Sequence, residues 1–264
     1  MKIKRILVSQ PEPTNKKSPY FELAEDYGIQ IDFRSFIHVE PIPGREFRKS
    51  KINIMDHSAV ILTSRTAVDH FFRICEELRV NVPESMKYFC ISESTAYYLQ
   101  KYIIYRKRKI FYADGRFSDL LNILSKHKSE SYFVPLSDCH KEEIPRALKR
   151  NKLKFSKGIL YRTVSSDLSD LKDIDYDILV FYSPSGISSL FKNFPDFEQN
   201  NKIIASFGNA TTRTAKDYGL SVDIQAPKPK MPSMTMALEQ FLKQQEDNNL
   251  ASTTASNSKN NDKK

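Results

Sequence analysis

Two short hydroxyl-rich motifs recur in the same order in the two halves of this chain, and that recurrence limits the architecture more than any value of composition. Leu62-Thr63-Ser64-Arg65-Thr66-Ala67-Val68 aligns with Phe181-Tyr182-Ser183-Pro184-Ser185-Gly186-Ile187, which sets Ser64 against Ser183 and Thr66 against Ser185 at an offset of 119. Ser92-Glu93-Ser94-Thr95-Ala96 aligns with Gly208-Asn209-Ala210-Thr211-Thr212 at an offset of 116. A period this long exceeds the roughly 20–50 residues of a solenoid unit and suits two copies of a small α/β domain.

Around these motifs the chain alternates apolar runs with helical periodicity. Ile6-Leu7-Val8, Ala59-Val60-Ile61-Leu62, Tyr88-Phe89-Cys90-Ile91, Tyr132-Phe133-Val134, Ile178-Leu179-Val180-Phe181 and Ile203-Ile204-Ala205-Ser206-Phe207 read as strands. Val68, Phe71, Phe72 and Cys75, and later Ile187, Leu190 and Phe191, fall at helix spacing. Strands apolar at successive positions are buried on both faces. The fold class expected is therefore α/β, with two similar doubly wound parallel-sheet domains of flavodoxin or Rossmann type. Two β-prone segments, residues 31–39 and 155–164, pair in this reading as a two-stranded connector that the chain crosses twice. The predicted domains are residues 1–35 plus 165–245 and residues 40–158. Residues 246–264, with scarcely an apolar side chain, form a predicted disordered tail.

The 264 residues carry a formal charge of +9, and Glu246, Asp247 and Asp262 cancel Lys259, Lys263 and Lys264, so the excess belongs to the folded body. A basic body suits nucleic acid, an anionic membrane or a small polyanion. The dense run Arg106-Lys107-Arg108-Lys109 has no RNA or DNA recognition motif around it and reads as a solvated strand edge or helix end. The basic start precedes too few apolar residues for a signal peptide, and no apolar run reaches the roughly 18 residues of a membrane span. A cytoplasmic protein with neither nucleic-acid nor membrane partner is expected. Cys75, Cys90 and Cys139 lack metal or disulfide spacing, and His38, His57, His70, His127 and His140 are scattered, so no metal is expected. Seven glycines form neither GxGxxG nor a Walker loop, so no cofactor is expected either. Cys139-His140 invites a thiol nucleophile, but strand neighbours point to opposite sides and no orienting acid is evident.

In open parallel sheets ligands bind outside the carboxyl ends of the strands, where helix N-termini point. Ser64, Thr66, Thr95, Ser183, Ser185 and Thr211 all sit at such ends. Hydroxyls, free backbone N–H groups and positive helix ends together hold carboxylates or phosphates without metal. The same residues also suit plain helix N-caps. Arg65 and Arg73 are placed to meet anions or to be solvated.

The run Ala59–Ser64 followed by Ala67-Val68, then Tyr161-Arg162-Thr163, then Phe181–Gly186, then Gly208-Asn209-Ala210-Thr211 with Gly219 ending the helix, resembles the uroporphyrinogen-III synthase family. The resemblance covers residues 4–243. It implies two α/β domains joined by a two-stranded ladder and closing over substrate. It also implies that hydroxymethylbilane is cyclised to uroporphyrinogen III with inversion of the terminal ring, through an azafulvene cation and a spiro pyrrolenine, without redox cofactor or metal. Tyr161 takes the family's tyrosine position, as the residue that hydrogen-bonds the departing hydroxyl. Thr95 and Thr211 match its paired threonines, and Ser64, Thr66, Ser183, Ser185 and Gly186 its other binding positions. A monomer is implied, with room for transient contact with hydroxymethylbilane synthase. The chain departs from the family at Ser9-Gln10-Pro11, where Thr-Arg-Pro is usual, at Thr66, where Asn is commoner, and at Cys139-His140-Lys141, which replaces a stretch that often carries Arg. Lys141 or Arg65 would compensate. The alternative to an enzyme is a non-catalytic two-domain binding module for a small polyanionic ligand, which would leave product isomers unchanged.

Overall fold

The computed structural model describes residues 3–140, 142–172 and 174–261, with backbone alone for 248–261. In chain order the elements are β1 (Arg5–Val8), α1 (Pro19–Tyr27), β2 (Gln30–Phe33), β3 (Ile37–Pro41), α2 (Gly44–Phe47), β4 (Ala59–Leu62), α3 (Arg65–Glu77), β5 (Lys87–Cys90), α4 (Glu93–Tyr98) and β6 (Ile110–Tyr112). They continue as α5 (Phe117–Leu124), β7 (Ser131–Ser137), α6 (Glu143–Arg150), β8 (Lys154–Ser165), β9 (Ile178–Phe181), α7 (Pro184–Asn193), β10 (Ile203–Phe207), α8 (Asn209–Asp217), β11 (Ile224–Ala226) and α9 (Met234–Asn261). The chain divides into two compact units, Met1–His38 with Val164–Lys264 and Val39–Thr163, so it changes unit once within β3 and once within β8.

The first unit holds a sheet of order β11-β10-β9-β1-β2, parallel throughout. Side chains alternate across it. Ile6, Val8, Ile178 and Val180 pack on one face with Tyr20 and Leu23 of α1 and Met234, Leu238 and Leu242 of α9. Leu7, Leu179 and Phe181 pack on the other with Ile187 and Leu190 of α7 and Ala215 of α8. Helices on both faces shield the inner strands β1 and β9 from water along almost their whole length, which is why these strands read as apolar runs. Removing each aliphatic side chain from water contributes about 1.5–3 kcal/mol.

The second unit holds a sheet of order β3-β8-β7-β4-β5-β6, with β8, β7, β4, β5 and β6 parallel. Val60 and Leu62 face Ala67, Val68, Phe71 and Ile74 of α3. Ala59 and Ile61 face Leu120 and Leu124 of α5 and Leu148 of α6. Strand for strand, β8-β7-β4-β5-β6 repeats β2-β1-β9-β10-β11. The two units are therefore circular permutations of one doubly wound arrangement: the pair β1-β2 precedes the repeated core in one, and β7-β8 follows it in the other.

β3 and β8 are neighbours and form the two-stranded connector. It is shorter than the paired segments 31–39 and 155–164 suggest. Ile31 and Phe33 lie opposite Ile6 and Val8 in the first sheet, where Phe33 packs edge-on against Tyr20 at 5.4 Å. The first sheet thus takes the upstream half of that segment as its edge strand. The stretch from 246 expected to lack order is helical in its backbone as far as Asn261. No glycine or proline follows Pro232, so nothing interrupts propagation from the packed start of α9. Residues 262–264 of that stretch lie outside the described residues. Gly219, with φ 79°, ends α8 by sending its N–H to Lys216 while Leu220 bonds back to Ala215.

Candidate active site

In each unit the sheet reverses its winding between two neighbouring strands, β1 and β9 in the first and β7 and β4 in the second, where the following helices leave to opposite faces. The carboxyl ends of such pairs are where a doubly wound sheet opens a crevice. Ser64 and Ser183 stand there, both in extended backbone, and each caps the helix that follows. Ser64 Oγ accepts the Ala67 N–H at 3.0 Å and Ser183 Oγ accepts the Gly186 N–H at 3.2 Å. The capping reading therefore holds for both serines and contributes about 1 kcal/mol each. A cap uses the hydroxyl as acceptor only, leaving its proton to donate. Thr66 and Ser185 occupy the same second position of their helices, half-buried, in the first turn.

The second unit adds a phenol to this turn. Tyr161 lies on β8 opposite Ser137, at the irregularity that ends the β7–β8 ladder, and is 9% exposed. The Ser64 side chain lies beside its hydroxyl. Burial raises its pKa above the ordinary tyrosine value and the nearby Ser64 offsets this only partly, so the phenol stays protonated at neutral pH. Its ring stacks on His70 of α3, with centroids 4.8 Å apart and planes 19° from parallel. The backbone is clasped as well. Asp138 N–H donates to Tyr161 O at 3.1 Å, and Asp138 Oδ1 accepts from Thr163 N at 3.0 Å, Cys139 N at 2.8 Å and Ser137 Oγ at 2.9 Å. Burial alone would raise the Asp138 pKa, but these bonds outweigh it and hold the group as a carboxylate.

Thr95 and Thr211 take matching third positions of α4 and α8 and are 4% and 2% exposed. Thr95 Oγ1 bonds the capping Ser92 Oγ at 3.1 Å, so much of its work is internal. In the first unit Gly208, at φ 86°, replaces that cap. Beside it Asn209, Thr212, Arg213, Lys216 and Gln225 line an open depression with two cations that the sequence reading passed over. Their signal was Arg213 directly after the strand-end motif, with Lys216 three residues further on.

Arg73 is engaged within its own unit: its Nη2 donates to the carbonyls of Ile42 at 2.9 Å and Leu160 at 3.1 Å, and its Nη1 to the Glu77 carboxylate at 2.7 Å. Arg65 is exposed, its guanidinium 5.5 Å from the Tyr98 ring. Lys141 lies outside the described residues. Burial raises the Cys139 pKa, with Asp138 adding to it, which disfavours the thiolate. In the basic run Arg106 pairs with Glu84 at 2.8 Å and Lys109 reaches the Glu84 carbonyl. The apolar groove there, lined by Met86, Tyr88, Ile103 and Ile110, sits by the amino ends of β5 and β6, away from the crevice end. Among the described residues no His/Cys/Asp/Glu group is arranged to hold a metal, and no helix is long and apolar enough to cross a membrane.

Gly186 is not required by space. A Cβ there would lie 3.5 Å from Ser183 Oγ and 3.6 Å from Ser9 Oγ, ordinary contacts, and Ala67 fills the equivalent position in the other unit. Gly186→Ala is expected to raise stability by up to about 1 kcal/mol, through reduced backbone freedom in the unfolded chain, read by thermal denaturation.

The family model described as uroporphyrinogen-III synthase HemD matches residues 18–236. The chain belongs to the uroporphyrinogen-III synthase family. Its fold is similar to the crystal structure of uroporphyrinogen-III synthetase from Helicobacter pylori, with a TM-score of 0.59 and 18% identity over 91% of this chain and 99% of that one. It is also similar to a mutant uroporphyrinogen III synthase from the extremely thermophilic bacterium Thermus thermophilus, with a TM-score of 0.52 and 14% identity over 91% and 99% of the two chains. No curated protein matches the chain significantly in sequence. At these identities the solved structures speak for the fold, and the family match speaks for a cyclising lyase of tetrapyrrole synthesis. For a synthase, the strand-end turns and the buried phenol are the groups to which the chemistry has to be fitted.

Proposed function

We propose that this chain closes hydroxymethylbilane to uroporphyrinogen III, inverting the terminal ring and releasing water, with Tyr161 as the donor to the departing hydroxyl. The observation that carries the role of Tyr161 is its phenol, buried beside Ser64 and stacked on His70 at the carboxyl end of a parallel sheet. A hydroxyl leaves a carbon readily only as its proton supply improves, and a fixed O–H aimed at it supplies a hydrogen bond as the C–O bond lengthens. The azafulvene cation so formed is attacked by the far ring. Attack at the substituted carbon gives the spiro intermediate, which fragments and re-closes inverted. Electrons and atoms balance with water as the sole by-product, so the reaction calls for no redox partner.

Selection of the substituted carbon is a matter of holding a flexible chain in one fold. The substrate's acetate and propionate groups are carboxylates. The hydroxyls of Ser64 and Thr66 in one unit and of Ser183 and Ser185 in the other, with the first-turn N–H groups that the two caps do not take, are the proposed donors to them. Thr95 and Thr211 are proposed to support those turns from within, with Arg213 and Lys216 as further cations. A monomer in the cytoplasm is the proposed setting, with no nucleic acid or membrane partner and only transient contact with hydroxymethylbilane synthase. Cys75, Cys90 and Cys139 are all free thiols, as suits a reducing compartment.

Product analysis tests the reading. Hydroxymethylbilane is generated in place, the reaction quenched early and oxidised, and uroporphyrin I separated from III by chromatography. Added protein is expected to turn the product from mainly I to mainly III. Persistence of isomer I at every protein concentration overturns the synthase and leaves the binding module.

A further inference from the structure

We infer that His70 is a positioning residue for Tyr161, locked in one neutral tautomer by Arg73; the inference rests on the synthase reading above. The contacts form a closed set around the phenol. Arg73 Nε–H donates to His70 Nδ1 at 3.2 Å. A guanidinium has no acceptor, so His70 Nδ1 must present its lone pair, and the neutral ring carries its proton on Nε2. The His70 ring then lies flat against Tyr161. Arg73 is itself fixed by the carbonyls of Ile42 and Leu160, and Leu160 immediately precedes Tyr161. One helix therefore holds the tyrosine at two points, His70 at the ring and Arg73 at the adjoining backbone, with Ser64 of its cap beside the hydroxyl.

This arrangement works only with neutral His70. The charged groups facing the ring are Arg73, whose own partner is Glu77, and Asp69, whose carboxylate is engaged by Lys101, Tyr98 and Tyr102; from β8 the facing group is the Tyr161 phenol. Burial and then the Arg73 charge push His70 below its ordinary value, with Asp69 opposing. Protonation at Nδ1 replaces an accepted hydrogen bond with two donors face to face, so the Arg73 contact breaks and the stacked ring shifts. The phenol loses its aim while the fold stands.

Three proteins test this: wild type, His70→Ala and His70→Phe, each followed from about pH 5 to 8.5 across the histidine range. Wild type is expected to lose kcat on the acid side with a midpoint below about 6.5, the ordinary imidazole value. His70→Ala, lacking the stack, is expected to lose about tenfold in kcat at neutral pH, the scale of one aromatic pairing, with KM within about twofold. His70→Phe keeps a flat ring without a titrating nitrogen, so it should recover part of that loss and show no acid limb. Nitrogen-15 spectra of wild-type histidines should place the neutral proton of His70 on Nε2. An Nδ1–H tautomer, or variants that keep both the wild-type kcat and its acid limb, overturns the role of His70 while leaving the synthase standing. If His70→Ala fails to fold, the pH profile of His70→Phe and the wild-type tautomer decide. Wild type that makes no isomer III removes the synthase reading, and the role of His70 with it.

Discussion

Tyr161→Phe is expected to lower kcat about a hundredfold with little change in KM, the effect of removing one donor that acts only as charge develops. The variant keeps the ring, its stack on His70 and its packing, so the fold should hold within about 1 kcal/mol. What disappears is the O–H. Because the substrate also closes unaided to isomer I, a slower enzyme competes less well, and the fraction of uroporphyrin I should rise in step with the loss of kcat. Steady-state rates together with isomer ratios check both statements. An unchanged kcat would make the phenol a packing group and return the search to the strand-end hydroxyls.

Gly158→Ala is expected to destabilise the second unit by about 3 kcal/mol, the upper end of overpacking costs. Gly158 sits in β8 opposite Pro135, and a Cβ there would stand 2.4 Å from Phe133 Cζ and 2.6 Å from its Cε2. The ring cannot swing clear. Phe133 is fully buried and held edge-on against Phe47 at 6.3 Å and beside Phe71 at 6.0 Å and His57 at 5.6 Å. The clash falls three residues before Tyr161 on the same strand, so activity should fall with stability. Denaturant midpoints for Gly158→Ala, Phe133→Leu and the double variant would show the cause. Phe133→Leu vacates the space the new methyl needs, so the double variant should be more stable than the sum of the two losses implies.

How much of this could be read beforehand depended on what each residue contacts. β4 and β9 were legible because their four residues are buried on both faces, and a continuous apolar run is the direct consequence. β6 and β11 were not: three residues each, at the rims of their sheets and with mixed exposure, carry no periodicity. The internal repeat was legible only across β4–α4 and β9–α8. The remaining equivalence, β7-α6-β8 with β1-α1-β2, is hidden from a linear comparison because the permutation puts the pair after the core in one unit and before it in the other.

By itself the sequence determined the class of fold, the strand-end placement of Ser64, Thr66, Ser183 and Ser185, and through its motifs the family, because these rest on local pattern: the burial period of a strand, the first turn of a helix and short runs in a set order. Only the tertiary structure decided that Ser64 lies beside the Tyr161 phenol, that His70 lies flat on its ring, that Asp138 clasps its backbone and that Arg73 reaches the Leu160 carbonyl. Those are contacts between α3, the end of β7 and β8, elements far apart in the chain. A hydrogen bond or a ring stack depends on distances that exist only after the sheet has brought those elements side by side, and no spacing along the chain encodes them.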